Sequence, residues 1–155
     1  MTLYIVRHAD AKSRSGWSAD DNLRPLTKKG EHQAAAIPDL IDPSHLRRVL
    51  SSPAVRCVDT VIPLAKAHGL EVERAPQLLE GSEPKAAYAL LLDEAGRKGD
   101  AALCLHSDLI PELLRRAARD GVKLTGGDRW SKGSTWVMSV EHGKITSGRY
   151  TPPPG

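Results

Sequence analysis

The feature that most restricts this chain is a set of short, uninterrupted apolar runs separated by stretches of helical period. Leu3 to Val6, the segment around Val49 and Leu50, and Ala101 to Leu105 do not alternate with polar residues, so each reads as a strand buried on both faces. Between them, Thr27 to Leu40, a segment opening at Ser52-Pro53, Lys85 to Arg97 and Leu109 to Arg119 carry helix-like spacing. This alternation predicts one α/β domain: a mostly parallel sheet with helices on both faces. Thr27 is the expected cap of the first helix, whose first turn Gly30 should weaken. Ser52-Pro53 has N-cap and N1 chemistry, which places Arg56 in the first turn of the second helix; Pro63 should kink or locally loosen that helix before Gly69 ends it. Leu70 to Arg74 is a weaker strand, and Pro76 to Pro84 reads as irregular. Two polar segments, Ala11 to Pro25 and Gly121 to Gly133, read as long loops. Ser134 to Val140 and Lys144 to Tyr150 form a hairpin turning at His142-Gly143. The domain is expected over 1–150, with 151–155 a disordered or frayed tail.

Composition excludes several classes of function. With 155 residues, 40% of them hydrophobic, the chain can bury a core without disulfides or structural metal. Lys+Arg outnumber Asp+Glu by 22 to 19, which favours anionic partners but is too small an excess to indicate nucleic acid, and none is expected. Aromatics are 4% and Phe is absent, leaving little material for stacking platforms. The sequence has no apolar run of about 18 residues, so no membrane partner is expected. Cys57 and Cys104 lack paired spacing and sit in apolar segments, as small buried hydrophobes of a reducing, cytoplasmic setting do.

The chemically informative pattern is one of placement. Arg7-His8, Arg56 and His106 each fall just past a predicted strand or in the opening turn of the next helix. In a parallel α/β sheet those places converge on one edge, where helix N-termini add backbone donors. Two arginines and two histidines gathered there make a pocket for a phosphoryl group. A neutral imidazole can attack phosphorus through one ring nitrogen while the other donates to a fixed acceptor, and nearby arginines disfavour its protonation. The leaving oxygen needs a proton; Glu80, after Leu78-Leu79, is the leading donor and Glu83 its rival. Arginines beside the histidines would repel a divalent cation, so no metal or other cofactor is expected.

The order and spacing of Arg7-His8-Ala9, Arg24-Pro25-Leu26-Thr27, Ser51-Ser52-Pro53-Ala54-Val55-Arg56 and His106 resemble the histidine phosphatase superfamily. The resemblance covers nearly the whole chain and points to the small branch. That branch contains the bacterial phosphohistidine phosphatase SixA and the phosphatase domains attached to MutT-type Nudix hydrolases. Leu105-His106-Ser107-Asp108-Leu109-Ile110-Pro111 and Lys132-Gly133-Ser134-Thr135-Trp136-Val137 are closer to the latter. Ala9 stands where the superfamily signature usually has glycine, and Leu105 where glycine is frequent before the second histidine.

The resemblance implies the phosphoglycerate-mutase-like fold, no metal, and a covalent phosphohistidine on His8. It makes Arg7, Arg56 and His106 phosphate ligands, His106 part of the catalytic group, Glu80 the proton donor and Arg24 a substrate contact. The expected substrate is a phosphohistidine protein, a nucleotide or a small phosphate ester; the alternative is a phospho-ligand binding module without turnover. Each residue also has a plainer role. Arg56 can pair with Asp59, Arg24 can order its loop against Asp20 or Asp21, and Lys132 is either surface charge or a further phosphate contact. Trp17 and Trp130 occupy the two long loops, where they can stack on a base or simply anchor, and Trp136 reads as packed. His32, His45, His68 and His142 lack ligand-like spacing.

Overall fold

In the computed structural model, which describes residues 1–41 and 45–155, the apolar runs become the centre of a seven-stranded sheet. The strands are β1 (Thr2–Arg7), β2 (Leu46–Ser51), β3 (Val72–Arg74), β4 (Asp100–Leu105), β5 (Lys123–Thr125), β6 (Thr135–Glu141) and β7 (Lys144–Thr151). Their order across the sheet is β3-β2-β4-β1-β6-β7-β5. Four of the six pairings are parallel; β6 runs antiparallel to both β1 and β7. The helices are α1 (Lys28–Ala36), α2 (Val55–Ala67), α3 (Pro84–Ala95) and α4 (Ile110–Arg119).

The continuous apolar character of β1 is explained by its neighbours. Leu3 and Ile5 face a core shared with Leu91 of α3, Leu113 of α4 and Trp136. Tyr4 and Val6 face the opposite core, built with Cys57, Val61 and Leu64 of α2. Side chains alternate across a strand, so covering both faces requires apolar residues at every position. No helix of the described residues is long and apolar enough to cross a membrane.

Several local expectations change in the folded chain. α1 begins after Thr27, whose Oγ1 accepts from Gly30 N at 3.1 Å, as a capping residue should. It ends at Ala36, and Ile37–Leu40 continues as a 3-10 turn because Pro38 brings no N–H. α2 starts at Val55 with no side-chain cap, so Ser52 is not its N-cap. The helix runs through Pro63 to Ala67, and Gly69, at φ +66°, follows its end. The segment Gly121 to Gly133 is not all loop: β5 pairs in parallel with β7, with Leu124 opposite Gly148. It escapes notice because it is three residues long and presents one partly buried apolar side chain between Lys123 and Thr125. The hairpin turn is as expected, with His142 at φ 52° and Gly143 at φ 75°, the pair of positive angles that a two-residue turn matched to strand twist needs.

Gly30 has a role beyond helix propensity. A Cβ there would stand 1.9 Å from the carbonyl oxygen of Asp10, because α1 packs its first turn directly against the chain leaving β1. Thr27 N and Oγ1 bond the carbonyl and carboxylate of the same Asp10 at 3.0 and 2.6 Å. Propensity alone would make Gly30→Ala stabilising by about 1 kcal/mol. The contact reverses the sign, and this variant is expected to lose on the order of 1–3 kcal/mol, read from the midpoint of urea unfolding.

Candidate active site

The ends of β1 and β4 carry the two histidines. His8 N bonds Leu105 O at 3.2 Å, and Gly133 N lies 3.0 Å from His8 O, so the peptide of His8 is tied on both sides. Its ring Nδ1 lies 2.8 Å from the carbonyl oxygen of Ala9. A carbonyl only accepts, so Nδ1 carries the proton and Nε2 of the neutral ring presents a lone pair. The Ala9 peptide is itself fixed: its N–H donates to Thr60 Oγ1 at 2.9 Å, and that hydroxyl donates to Arg56 O at 2.6 Å. Burial pushes the His8 pKa down from 6.5 to about 3, helped by the charges of His106, Arg56 and Arg7 and opposed by the bond to Ala9. Desolvation, more than the neighbouring arginines, keeps the ring neutral.

The His106 ring lies 5.5 Å from that of His8, centroid to centroid. It is fully buried, with Nε2 2.8 Å from Ser52 Oγ and 3.5 Å from Cys57 Sγ, and Nδ1 3.5 Å from Arg56 Nη2. Ser52, freed from capping, therefore orients a histidine. Arg56 is also fully buried. It pairs with Asp21 rather than Asp59: Nη1 donates to the Asp21 carbonyl at 2.8 Å and Nη2 to its Oδ2 at 3.1 Å. Arg7 donates from Nη1 to the carbonyl of Trp130 at 3.0 Å. The Nε groups of Arg7 and Arg56 are both buried and find no acceptor among the described residues. Two cationic donors left so beside a neutral imidazole are what a bound oxyanion would satisfy.

Above this floor is a cavity of about 500 Å³ whose wall includes Arg7, His8, Arg14, Arg24, Glu80 and Lys132. Glu80 reaches it with both carboxylate oxygens near Arg14 Nη2, at 3.1 and 3.2 Å, and one 4.0 Å from Arg56 Nη2. Its turn is pinned by Gly81 N donating to Asp108 Oδ2 at 2.8 Å, two residues past His106. Glu83 is exposed at the start of α3 and forms no part of that wall. Arg24 pairs with Asp21 through Nε at 3.0 Å, the loop-ordering role, and also lines the cavity. Lys132 stands at the rim, its Nζ 3.9 Å from Asp10 Oδ1. Trp17 anchors its own loop through Nε1 to Asp20 O, and Trp136 is buried with Nε1 on Arg129 O. Among the described residues no three His, Cys, Asp or Glu side chains gather as a metal ligand set.

Asp21, Arg14, Ser52 and Thr60 were not singled out as site residues from sequence. Asp21 and Arg14 lie in an aperiodic polar loop, and only the neighbouring Arg24-Pro25-Leu26-Thr27 motif pointed there.

Residues 3–83 match the family model for the histidine phosphatase superfamily, branch 1. The chain belongs to this superfamily. As a histidine phosphatase superfamily member it is 34% identical over 159 residues to an 8-oxo-(d)GTP phosphatase of Mycolicibacterium smegmatis, covering 99% of this chain and 48% of that protein. A probable phosphoglycerate mutase of Serratia proteamaculans is 31% identical over 85 residues, 52% of this chain and 38% of the mutase. The chain thus spans about half the length, or less, of these curated relatives. The tungstate complex of the protein histidine phosphatase SixA has the same fold, with a TM-score of 0.72 at 20% identity, covering 99% of this chain and 96% of SixA. A putative SixA from Agrobacterium tumefaciens gives 0.70, also at 20% identity, over 99% and 97%.

The state of His8 is directly testable. In ¹⁵N NMR of the labelled protein, Nδ1 should remain protonated and Nε2 unprotonated down to about pH 5; a titration midpoint near 6.5 would contradict the buried, neutral ring. The unfolded chain protonates this ring near 6.5 and the folded chain only near 3. The stability held by the neutral ring is therefore present above 6.5 and lost as pH falls through that interval.

Proposed function

We propose that this chain is a metal-independent phosphohydrolase that forms a covalent phosphohistidine on His8. The observation that carries the reading is the neutral His8 ring with its Nε2 lone pair, set beside two arginines, Arg7 and Arg56, whose buried Nε–H groups find no acceptor among the described residues. Nε2 attacks phosphorus, and the bond from phosphorus to the leaving oxygen breaks with its electron pair going to that oxygen. Arg7, Arg56 and His106 balance the charge on the phosphoryl oxygens, where preorganised donors act most strongly. Glu80 gives the leaving oxygen its proton. The resulting carboxylate then takes a proton from water, which attacks the phosphohistidine; the N–P bond breaks and its pair returns to Nε2.

The ring of cations around the cavity suits an anionic phosphate compound. Similarity to the 8-oxo-(d)GTP phosphatase along nearly the whole chain favours nucleotides or small phosphate esters as substrate, with phosphohistidine protein as the comparison in a substrate screen. Arg24 and Lys132 are the substrate-side contacts in this scheme, in a cavity of the size small ligands occupy. Two free buried cysteines suit a reducing, cytoplasmic location.

The test is a screen of nucleoside di- and triphosphates, simple esters and a phosphohistidine peptide in the presence of a strong chelator. Wild type should turn over at least one, with an acid-labile phosphoenzyme trapped on rapid quench. His8→Ala should lose both turnover and phosphoenzyme, and Arg56→Ala should lose about 10²-fold or more in kcat/KM. Tight phosphate binding with no turnover on any compound would make the chain a binding module instead.

A further inference from the structure

We propose that Asp21 is a positioning residue whose single carboxylate holds the phosphate-side arginines and the proton donor in one arrangement. This rests on the phosphohydrolase reading above. Asp21 begins the short turn Asp21–Leu23, and the Asp20 side chain steadies that turn by accepting from Asn22 N at 3.0 Å. Three acceptors of Asp21 are used inward. Its carbonyl and Oδ2 take Nη1 and Nη2 of Arg56, while Oδ1 takes Arg24 Nε at 3.0 Å and lies 3.3 Å from Arg14 Nε. Arg14 continues the chain by offering Nη2 to both oxygens of Glu80. Asp21 is thus one ion pair from Arg56 and Arg24 and two from Glu80.

Geometry gives this network its consequence. A guanidinium held by two N–H···O bonds from different nitrogens to one residue is restrained in orientation as well as in place. With Nη1 and Nη2 of Arg56 each bonded to Asp21, its buried Nε–H has no acceptor among the described residues. Arg56 is fully buried, so removing Asp21 would leave its charge without the carboxylate that, among the described residues, lies within hydrogen-bond distance. On the other side, Arg14 is mostly exposed, and a lone surface pair of that kind would order little. Its hold on Glu80 has direction because Asp21 fixes the other end of the same guanidinium. Asp21 is not a competing proton donor. Burial pushes its carboxyl up, but the hydrogen bond from Arg24 and the charges of Arg56, Arg24 and Arg14 outweigh that and hold it below the usual carboxylate range.

The experiment compares two phosphate monoesters, an aryl ester whose leaving phenolate needs little protonation and an alkyl ester whose leaving alkoxide needs it. Asp21→Ala is expected to lower kcat/KM for the aryl ester by about 10²-fold through misplaced Arg56, and for the alkyl ester by roughly a further 10-fold through misplaced Glu80. Arg14→Met should lose more on the alkyl than on the aryl ester, in kcat rather than KM, following the pattern of Glu80→Gln. Asp21→Asn keeps an oxygen for Arg56 while removing the charge, and should recover part of the loss on the aryl ester. It differs from wild type by one side-chain group on a partly exposed residue, so it remains informative if Asp21→Ala does not fold. Equal loss on both esters, or none, in the Asp21 variants would overturn the proposal. Retained activity in His8→Ala would instead strike the covalent phosphohistidine on His8 on which the proposal rests.

Discussion

β1 and β4 lie side by side in parallel with Arg7 opposite Leu105, so the two strands stop at the same level. The next residue on each is a histidine, and the bond from His8 N to Leu105 O holds the two exits together. β2 flanks β4 on its other side with Ser51 opposite Cys104, and Ser52 N bonds Cys104 O at 2.9 Å. That register brings the Ser52 hydroxyl to His106 and starts α2 so that Arg56 reaches the same ring. A slip of one residue in either pairing would turn a ring to the opposite face of the sheet, because strand side chains alternate. The floor of the site is therefore a property of two registers among three strands, and the loops above it add contacts to a frame already set.

The parts of the fold visible in the amino-acid order were those governed by period and by short-range chemistry. Leu3 to Val6 and Ala101 to Leu105 show burial on both faces directly, and His142-Gly143 signals its turn. His8, Arg7, Arg56 and His106 were legible as strand-exit residues, and the structure brings them together. What could not be read depends on partners distant along the chain. Ser52 has good capping chemistry, yet the hydroxyl goes to a ring 54 residues away. Gly30 looks like a flaw in a helix until Asp10 is seen against it. Asp21 is one of several acids in a polar loop, and its importance appears only when three arginines from different elements reach it. β5 is carried by the exposed edge of β7 rather than by a pattern of its own.

The polar loops, by contrast, act mainly through charge. Arg56 sits in an interior that disfavours ions, and its counter-charge comes from residues 11–25 rather than from its own helix. Gly81 ties the turn bearing Glu80 to Asp108, so the segment after β3 is bonded to the segment after β4. Acid, arginines and histidines thus come from five separated stretches of chain, each joined to at least one other by a hydrogen bond or ion pair.

The sheet closes on both sides with three-residue strands, β3 and β5. A long unpaired edge is a template on which another polypeptide can add a strand, and folding intermediates aggregate by that route. Edges this brief, with Glu73 and Arg74 on one and Lys123 on the other, offer a passing molecule too few free amides to continue the ladder and too much charge to dehydrate. The architecture therefore carries its own protection against fibril-like growth.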